Sequence, residues 1–234
     1  RYFAHRAFRA SRAVQFAMAV LGCTAGQRGP LWWAGHHREH HIASDTAADP
    51  HSPARHGFWF SHTLWFLTRG SFATPAHRVR DWRHYTELRW LERFDWLPFV
   101  ALAGACWALG AWLESSAPAL GTNGPQMLVW GFFISTVVLY HATYTINSLA
   151  HRFGSRRYAT RDDSRNNAWL ALITLGEGWH NNHHYFPAAA RQGFFWWELD
   201  LSFIGLRALA LLGIVSDLRE VPAHVRAGAR ATAA

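Results

Sequence analysis

The chain has 234 residues, 50% hydrophobic and 16% charged, a balance that excludes a disordered or solvating polymer and leaves room for one domain or two. All 23 basic residues are arginine and against 15 acids they give +8, so a basic surface suited to nucleic acid, an anionic membrane face or a phosphorylated substrate is expected. Cys23 and Cys106 stand in apolar stretches without CxxC spacing, which excludes a disulfide framework or zinc ribbon and predicts two buried thiols.

The 14 Trp and 16 His are the conspicuous excesses, tryptophan suiting membrane interfaces and histidine metal sites. The chain opens at Arg1 without a charged-then-apolar leader, and an amino-terminal truncation is expected. His5 follows in the stretch RYFAH. The apolar run Val14 to Cys23 is too short to span a bilayer and is expected to lie against a membrane or pack on a neighbour. Then comes HHREHH, in which His37, His40 and His41 stand at i, i+3 and i+4 and share one face of a helix.

From Trp96 to Leu113 run eighteen uncharged residues bounded by Asp95 and Glu114, and from Pro125 to Ile146 twenty-two more, with Gln126 and His141 their only strongly polar members. Two membrane-spanning helices are therefore predicted, at about 96–113 and 125–146. The link Glu114 to Gly124 carries no arginine, whereas 13 arginines precede Asp95 and 10 follow Asn147. By the positive-inside rule both flanks are cytoplasmic, so the histidine-rich segments share one aqueous side. The basic excess then faces lipid headgroups or substrate, and with no RNP, zinc-finger or basic-zipper pattern present, no nucleic-acid partner is expected.

Just past the second span, Asn147 and His151 stand at i and i+4, and HNNHH repeats the earlier triplet as His180, His183 and His184. The stretch Phe203 to Val215 resembles the first short apolar run, and the alanine-rich tail after Val221 is expected to be mobile. His36, His51, His56, His62, His77, His84, His141 and His224 fall outside the pattern and read mostly as structural or surface residues.

Two triplets on one side of a membrane protein point to metal. Seven or eight imidazoles with no carboxylate in the spacing suit iron, zinc or copper, not magnesium or calcium. A structural zinc site closes with four ligands, whereas this inventory can fill two centres and leave positions open, which suggests redox or oxygen chemistry. Glu39, Asp45, Asp49, Asp162, Asp163 and Glu177 are the carboxylates near enough in sequence to orient imidazoles. A non-enzymatic histidine-rich membrane metal protein, a transporter or sensor, is the competing class. Transport ligands belong inside spans, and here nearly all candidates flank them.

Four segments carry a family resemblance: RYFAHRAF; HREHH followed by DTAADPHSP; NSLAHRFGSRRY with DDSRNN; and GEGWHNNHHYFP. They resemble the membrane-bound acyl-CoA desaturases, the stearoyl-CoA type of delta-9 fatty acid desaturase, over nearly the whole chain. The resemblance implies one fatty acid desaturase domain over 1–234, all-α and integral to the membrane, with a cytoplasmic helical cap carrying the histidine boxes. A multi-pass protein of a bacterial inner membrane is implied. The family's first box is HxxxxH, which would place one more histidine immediately before Arg1, and two further spans usually precede it.

The resemblance implies two iron ions cycling between Fe2+ and Fe3+, held by His5, His37, His40, His41, His151, His180, His183 and His184, with Asn147 holding one through water. It further implies that O2 and two electrons place a cis double bond, most often delta-9, in a saturated acyl-CoA, with acyl-ACP or lipid-bound acyl chains as other carriers. Gln27, Trp33 and Arg69 match positions near the acyl-CoA, while Gly35 and His36 replace the Arg-Asp pair usual before the second box. No haem- or flavin-binding module is recognisable and GxGxxG is absent, so a separate donor of the ferredoxin, rubredoxin or cytochrome b5 type, with its reductase, is implied. A related di-iron hydroxylase acting on lipid or alkane is the nearest alternative, since it too attacks an unactivated C–H bond.

Overall fold

The computed structural model describes residues 1–228. The chain is helical apart from isolated bridges and a short antiparallel ribbon, β1 (Arg9–Ala10) with β2 (Val215–Ser216), paired Arg9 to Ser216 and Ala10 to Val215. Helix α1 (Arg12–Cys23) starts where the Ser11 hydroxyl accepts from the Val14 amide. Helix α2 (Pro30–Ala43) carries the first histidine triplet but has little intrinsic preference for a helix, with Gly, Trp and four His in its length. Two features start it. Pro30 occupies the first turn, and Glu92 of α3 (Thr86–Arg93) accepts from the Leu31 and Trp32 amides at 2.9 and 3.2 Å, a cap of about 1 kcal/mol supplied by another helix. Ala19 and Cys23 of α1, Leu31 and Ala34 of α2, and Leu88 and Leu91 of α3 then close over Val79 and Trp82 in one buried cluster. The run Val14 to Cys23 thus packs on neighbours within the molecule.

Helices α4 (Trp96–Ser116) and α5 (Gly124–His151) are long and apolar enough to cross a membrane, with mean hydropathy 1.6 and 1.4. Only 11% of each apolar window is buried, whereas the core helix of a soluble protein would be mostly covered. Their bare Trp112, Trp130, Val137 and Val138 call for lipid as solvent. Both helices outrun the apolar windows read from the sequence. The hydroxyls of Ser115 and Ser116 donate to the Trp112 carbonyl and satisfy the last turn of α4. Helix α5 passes through a π-helical stretch at Val129–Ile134 and runs on to His151, so Asn147 and His151 end the span instead of following it. The two spans meet at Gly110, where any Cβ would strike the Asn123 carbonyl. Cys23 is buried as expected, whereas Cys106 is only half-buried, in contact range of Gly131 on the facing span.

The carboxy-terminal third wraps the polar end of α5. It contains α6 (Ala168–Ile173), α7 (His180–Tyr185) with the second triplet, α8 (Leu201–Leu211) and α9 (Ala223–Arg226). The tail expected to be mobile is in part fixed. Val221 and Val225 pack with Tyr158, Ala189 and Phe194, because they complete an apolar face that α7 cannot cover alone, and the remainder, 229–234, lies outside the described residues.

Candidate metal centre

The histidines gather in two groups of four. His5, His37, His41 and His183 form one, and His40, His151, His180 and His184 the other, the ligand nitrogens of each lying within 4.8 Å of one another. In the first, His37 Nε2 stands 2.9 Å from His5 Nε2 and 3.3 Å from His183 Nε2, while His41 Nε2 is 3.1 and 2.9 Å from the Nε2 atoms of His37 and His183. In the second, the Nε2 atoms of His151 and His180 are 3.0 Å apart.

Neither triplet stays whole. His37 and His41 remain together while His40 goes to the other group, and His180 and His184 remain together while His183 crosses the opposite way. Helix geometry explains this. At about 100° per residue, positions i and i+4 are offset by about 40°, whereas i+3 sits about 60° on the far side of i. Each helix therefore offers a pair to one centre and a single imidazole to its neighbour.

The protonation pattern is set by the groups behind the rings. His151 Nδ1 lies 2.8 Å from Asp45 and His184 Nδ1 2.8 Å from Asp162, while His40 Nδ1 stands 3.2 Å from Asp49. A carboxylate only accepts, so Nδ1 of His151 and His184 carries the proton and their Nε2 lone pairs turn inward. Burial pushes the imidazolium form of His37, His41, His180, His183 and His184 well below the ordinary histidine range, and burial takes His5 down to about 3. Burial resists ionisation of Asp45, yet its bond from His151 outweighs it and holds the carboxyl below its usual value. Neutral rings pointing lone pairs at one another from 3 Å repel unless a cation sits among them, and His184 Nε2 is buried with no hydrogen-bond partner. A donor set of neutral imidazoles fits iron, zinc or copper.

Of the six candidate carboxylates, Asp45, Asp49 and Asp162 stand behind these rings. Glu39 instead faces His77 and Arg78, Asp163 lies near Arg156, and Glu177 pairs with Arg1. His51, which falls outside the sequence pattern, is buried with Nδ1 3.1 Å from Asp49 and its ring stacked on Trp65, so His40 and His51 share one carboxylate. The signal for it is the Asp49-Pro50-His51 run, which seats both groups in one turn.

Beside the histidines lies a cavity of about 220 Å³ whose walls include Trp33, Leu139, Ile146 and Asn147 together with His37 and His180. A second chamber of about 180 Å³, lined by Gln27, Arg28 and Tyr140, shares Trp33, Thr143 and Asn147 with the first. The Tyr140 hydroxyl donates to the Gly26 carbonyl at 2.7 Å, pinning this loop to the span, and Gly26 adopts φ of +66° with no room for a side chain. Trp33 lines both chambers and Gln27 lines the second. Arg69 is exposed on the short turn Arg69–Phe72 and lines neither chamber, while Arg28, which no spacing or motif singles out, lines the second.

The family model for fatty acid desaturases matches residues 1–212. The chain is 34% identical over 224 residues to an sn-1 stearoyl-lipid 9-desaturase of Anabaena variabilis, covering 94% of this chain and 76% of that protein. It is 36% identical over 222 residues to the delta-9 acyl-lipid desaturase 1 of Arabidopsis thaliana, 94% of this chain and 68% of the relative. An acyl-CoA 5-desaturase of Anemone leveillei is 35% identical over 228 residues, 96% of this chain and 66% of that protein. Paired imidazole groups behind an apolar cavity at the end of a spanning helix, together with a match of this extent, place the chain in the fatty acid desaturase family.

Proposed function

We propose that this protein inserts a cis double bond at the delta-9 position of a saturated acyl chain, with acyl-CoA as the carrier. One observation carries the reading: both histidine groups border the same cavity as Leu139 and Ile146 of α5, so an apolar chain laid along the span passes the nitrogens. Balanced, the reaction takes a saturated acyl chain, O2, two electrons and two protons to a cis alkene and two waters. Bound iron would supply the activation of O2 that unactivated C–H bonds require. His5, His37, His41 and His183 would hold one ion and His40, His151, His180 and His184 the other, with Asn147 reaching one of them through water.

The protein's own share is positioning. Asp45 and Asp162 keep two rings in the ligating tautomer, and the walls at Trp33, Leu139 and Ile146 exclude water from the reacting methylenes. Electrons come from a separate ferredoxin, rubredoxin or cytochrome b5 type donor, approaching from the cytoplasmic face that carries the histidines.

A second reading is favoured by the names of the relatives, two of which act on lipid-bound acyl chains. Supplying the purified enzyme with stearoyl-CoA or with stearoyl-phospholipid, then identifying products by mass spectrometry, separates the two. Oleate from stearoyl-CoA alone supports the proposal, and oleate from the phospholipid alone moves the carrier to lipid. Hydroxystearate without alkene would sink the desaturase reading in favour of a hydroxylase.

A further inference from the structure

We propose that the carboxy-terminal cleft beside α8 binds the phosphate of an anionic membrane phospholipid while α8 lies in the plane of the membrane surface. The cleft encloses about 500 Å³ and shares no lining residue with the cavity at the histidines. Three arginines, Arg191, Arg207 and Arg226, line it against two acids, Asp217 and Glu220. Asp217 is already engaged by Arg9 at 3.1 Å, so the cleft keeps a surplus of positive charge. Arg191 is held in place by donating to the Phe195 carbonyl at 2.6 Å, yet its Nε is buried with no hydrogen-bond partner. A buried guanidinium N–H left unpaired is costly, and a phosphate oxygen is the acceptor such a fork fits.

The helix next to the cleft says which phosphate. Leu201, Ile204, Ala208, Leu211 and Leu212 recur at helical spacing on one side of α8 and are exposed, Leu211 at 87%. The opposite side, Phe203, Leu206 and Leu209, packs on Ala7, Phe8 and Val215, so the bare stripe is surplus to the core. Trp196, 85% exposed, and Trp197 stand just before the helix, where interfacial aromatic residues belong. Arg207 leaves the same helix toward the cleft at Phe203 and Ala210. A helix of about three turns, with an apolar stripe in the acyl boundary and an arginine rising beside it, reaches phosphates at headgroup depth. The inference is independent of the chemistry at the histidines.

The test is thermal unfolding of the detergent-purified protein with dioctanoylphosphatidylglycerol, dioctanoylphosphatidylcholine or inorganic phosphate at equal concentration. Saturating phosphatidylglycerol is expected to raise Tm by roughly 5 °C and the other two by far less. The double variant Arg207→Ala/Arg226→Ala, at two exposed positions, should lose most of that rise while desaturating at an unchanged rate, and Arg207→Gln alone should lose part of it. A rise in the double variant equal to that of the parent would remove the cleft as the site. Equal rises with phosphatidylcholine would remove the charge recognition, and equal rises with inorganic phosphate would make the cleft a free-anion site and overturn the lipid assignment.

Discussion

The two histidine groups use the same ligand chemistry but are braced differently. In the group of His40, His151, His180 and His184, carboxylates stand behind three rings, two of them at 2.8 Å. Among the described residues no carboxylate is hydrogen-bonded to His5, His37 or His41, and His183 Nδ1 has the neutral Gln192 amide at 3.4 Å. A carboxylate fixes ring orientation and raises the basicity of the ligating nitrogen; a distant amide does neither. The first group is organised instead through its backbone. Arg38, between His37 and His40 on α2, donates to the carbonyls of Phe3 and Ala4 at 2.8 and 2.9 Å, and so carries the segment that presents His5. One centre is thus held by its rings and the other by its chain, and a metal in the first should be the easier to lose.

The largest expected effects come from deleting a crossing ligand. His40→Ala and His183→Ala should each lower turnover by more than about 100-fold while membrane insertion persists, because a ligand is worth more than the group that orients it. Iron per chain, measured with product formation, checks this, and full activity in both variants would break the assignment. Asp45→Ala and Asp162→Ala should come next, weakening metal at the braced group by about 10- to 100-fold and leaving the other alone. Native mass spectrometry across a metal titration resolves the two occupancies. Exposure of the unmodified enzyme to a chelator should then release its ions in two phases, separated by a few-fold in rate. A single phase would show that the carboxylates make no difference.

How much of this was legible beforehand follows from which distances are local. Spacing at i, i+3 and i+4 placed His37, His40 and His41 on one helix face, and runs without charge placed the spans, because both are properties of a single helix. The division of each triplet between two centres was not legible, since it depends on α2 and α7 facing each other with opposite offsets. Nor was the extension of α5 to His151, where the helix continues after apolarity ends because the cap, not the lipid, covers its last turn. His51 falls outside the triplet spacing, and only packing shows that Asp49 stands beside it and His40 alike. Arg69 matches a family position near the acyl-CoA, yet the fold leaves it exposed and lines the second chamber with Arg28. The tail after Val221 reads as mobile from its alanines, although Val225 joins Val221 in the buried cluster with Tyr158, Ala189 and Phe194.

The smallest effect is expected where the chain-held centre meets solvent. Asp81 accepts from Arg38 at 2.7 and 2.9 Å and from Arg6 at 2.9 Å, and its side chain is 31% exposed. Partial burial resists its ionisation, but the bonds from Arg38 and Arg6 outweigh that and hold the carboxyl below its ordinary value of 3.8. A depressed carboxyl contributes stability that is present above its unfolded value and is lost as pH falls through the folded one, so the clamp is complete at neutral pH and fails only in acid below the ordinary carboxyl range. Asp81→Asn keeps the shape and removes the charge, at a cost of about 0.5–1 kcal/mol for so exposed a pair. Freed from Asp81, Arg38 grips Phe3 and Ala4 less tightly and His5 wanders. Release of the first ion to chelator should therefore quicken by about two- to fourfold at neutral pH, with the second ion unaffected, because none of the carboxylates behind His40, His151 and His184 touches this clamp. Equal acceleration of both ions would mean that the two groups share one support.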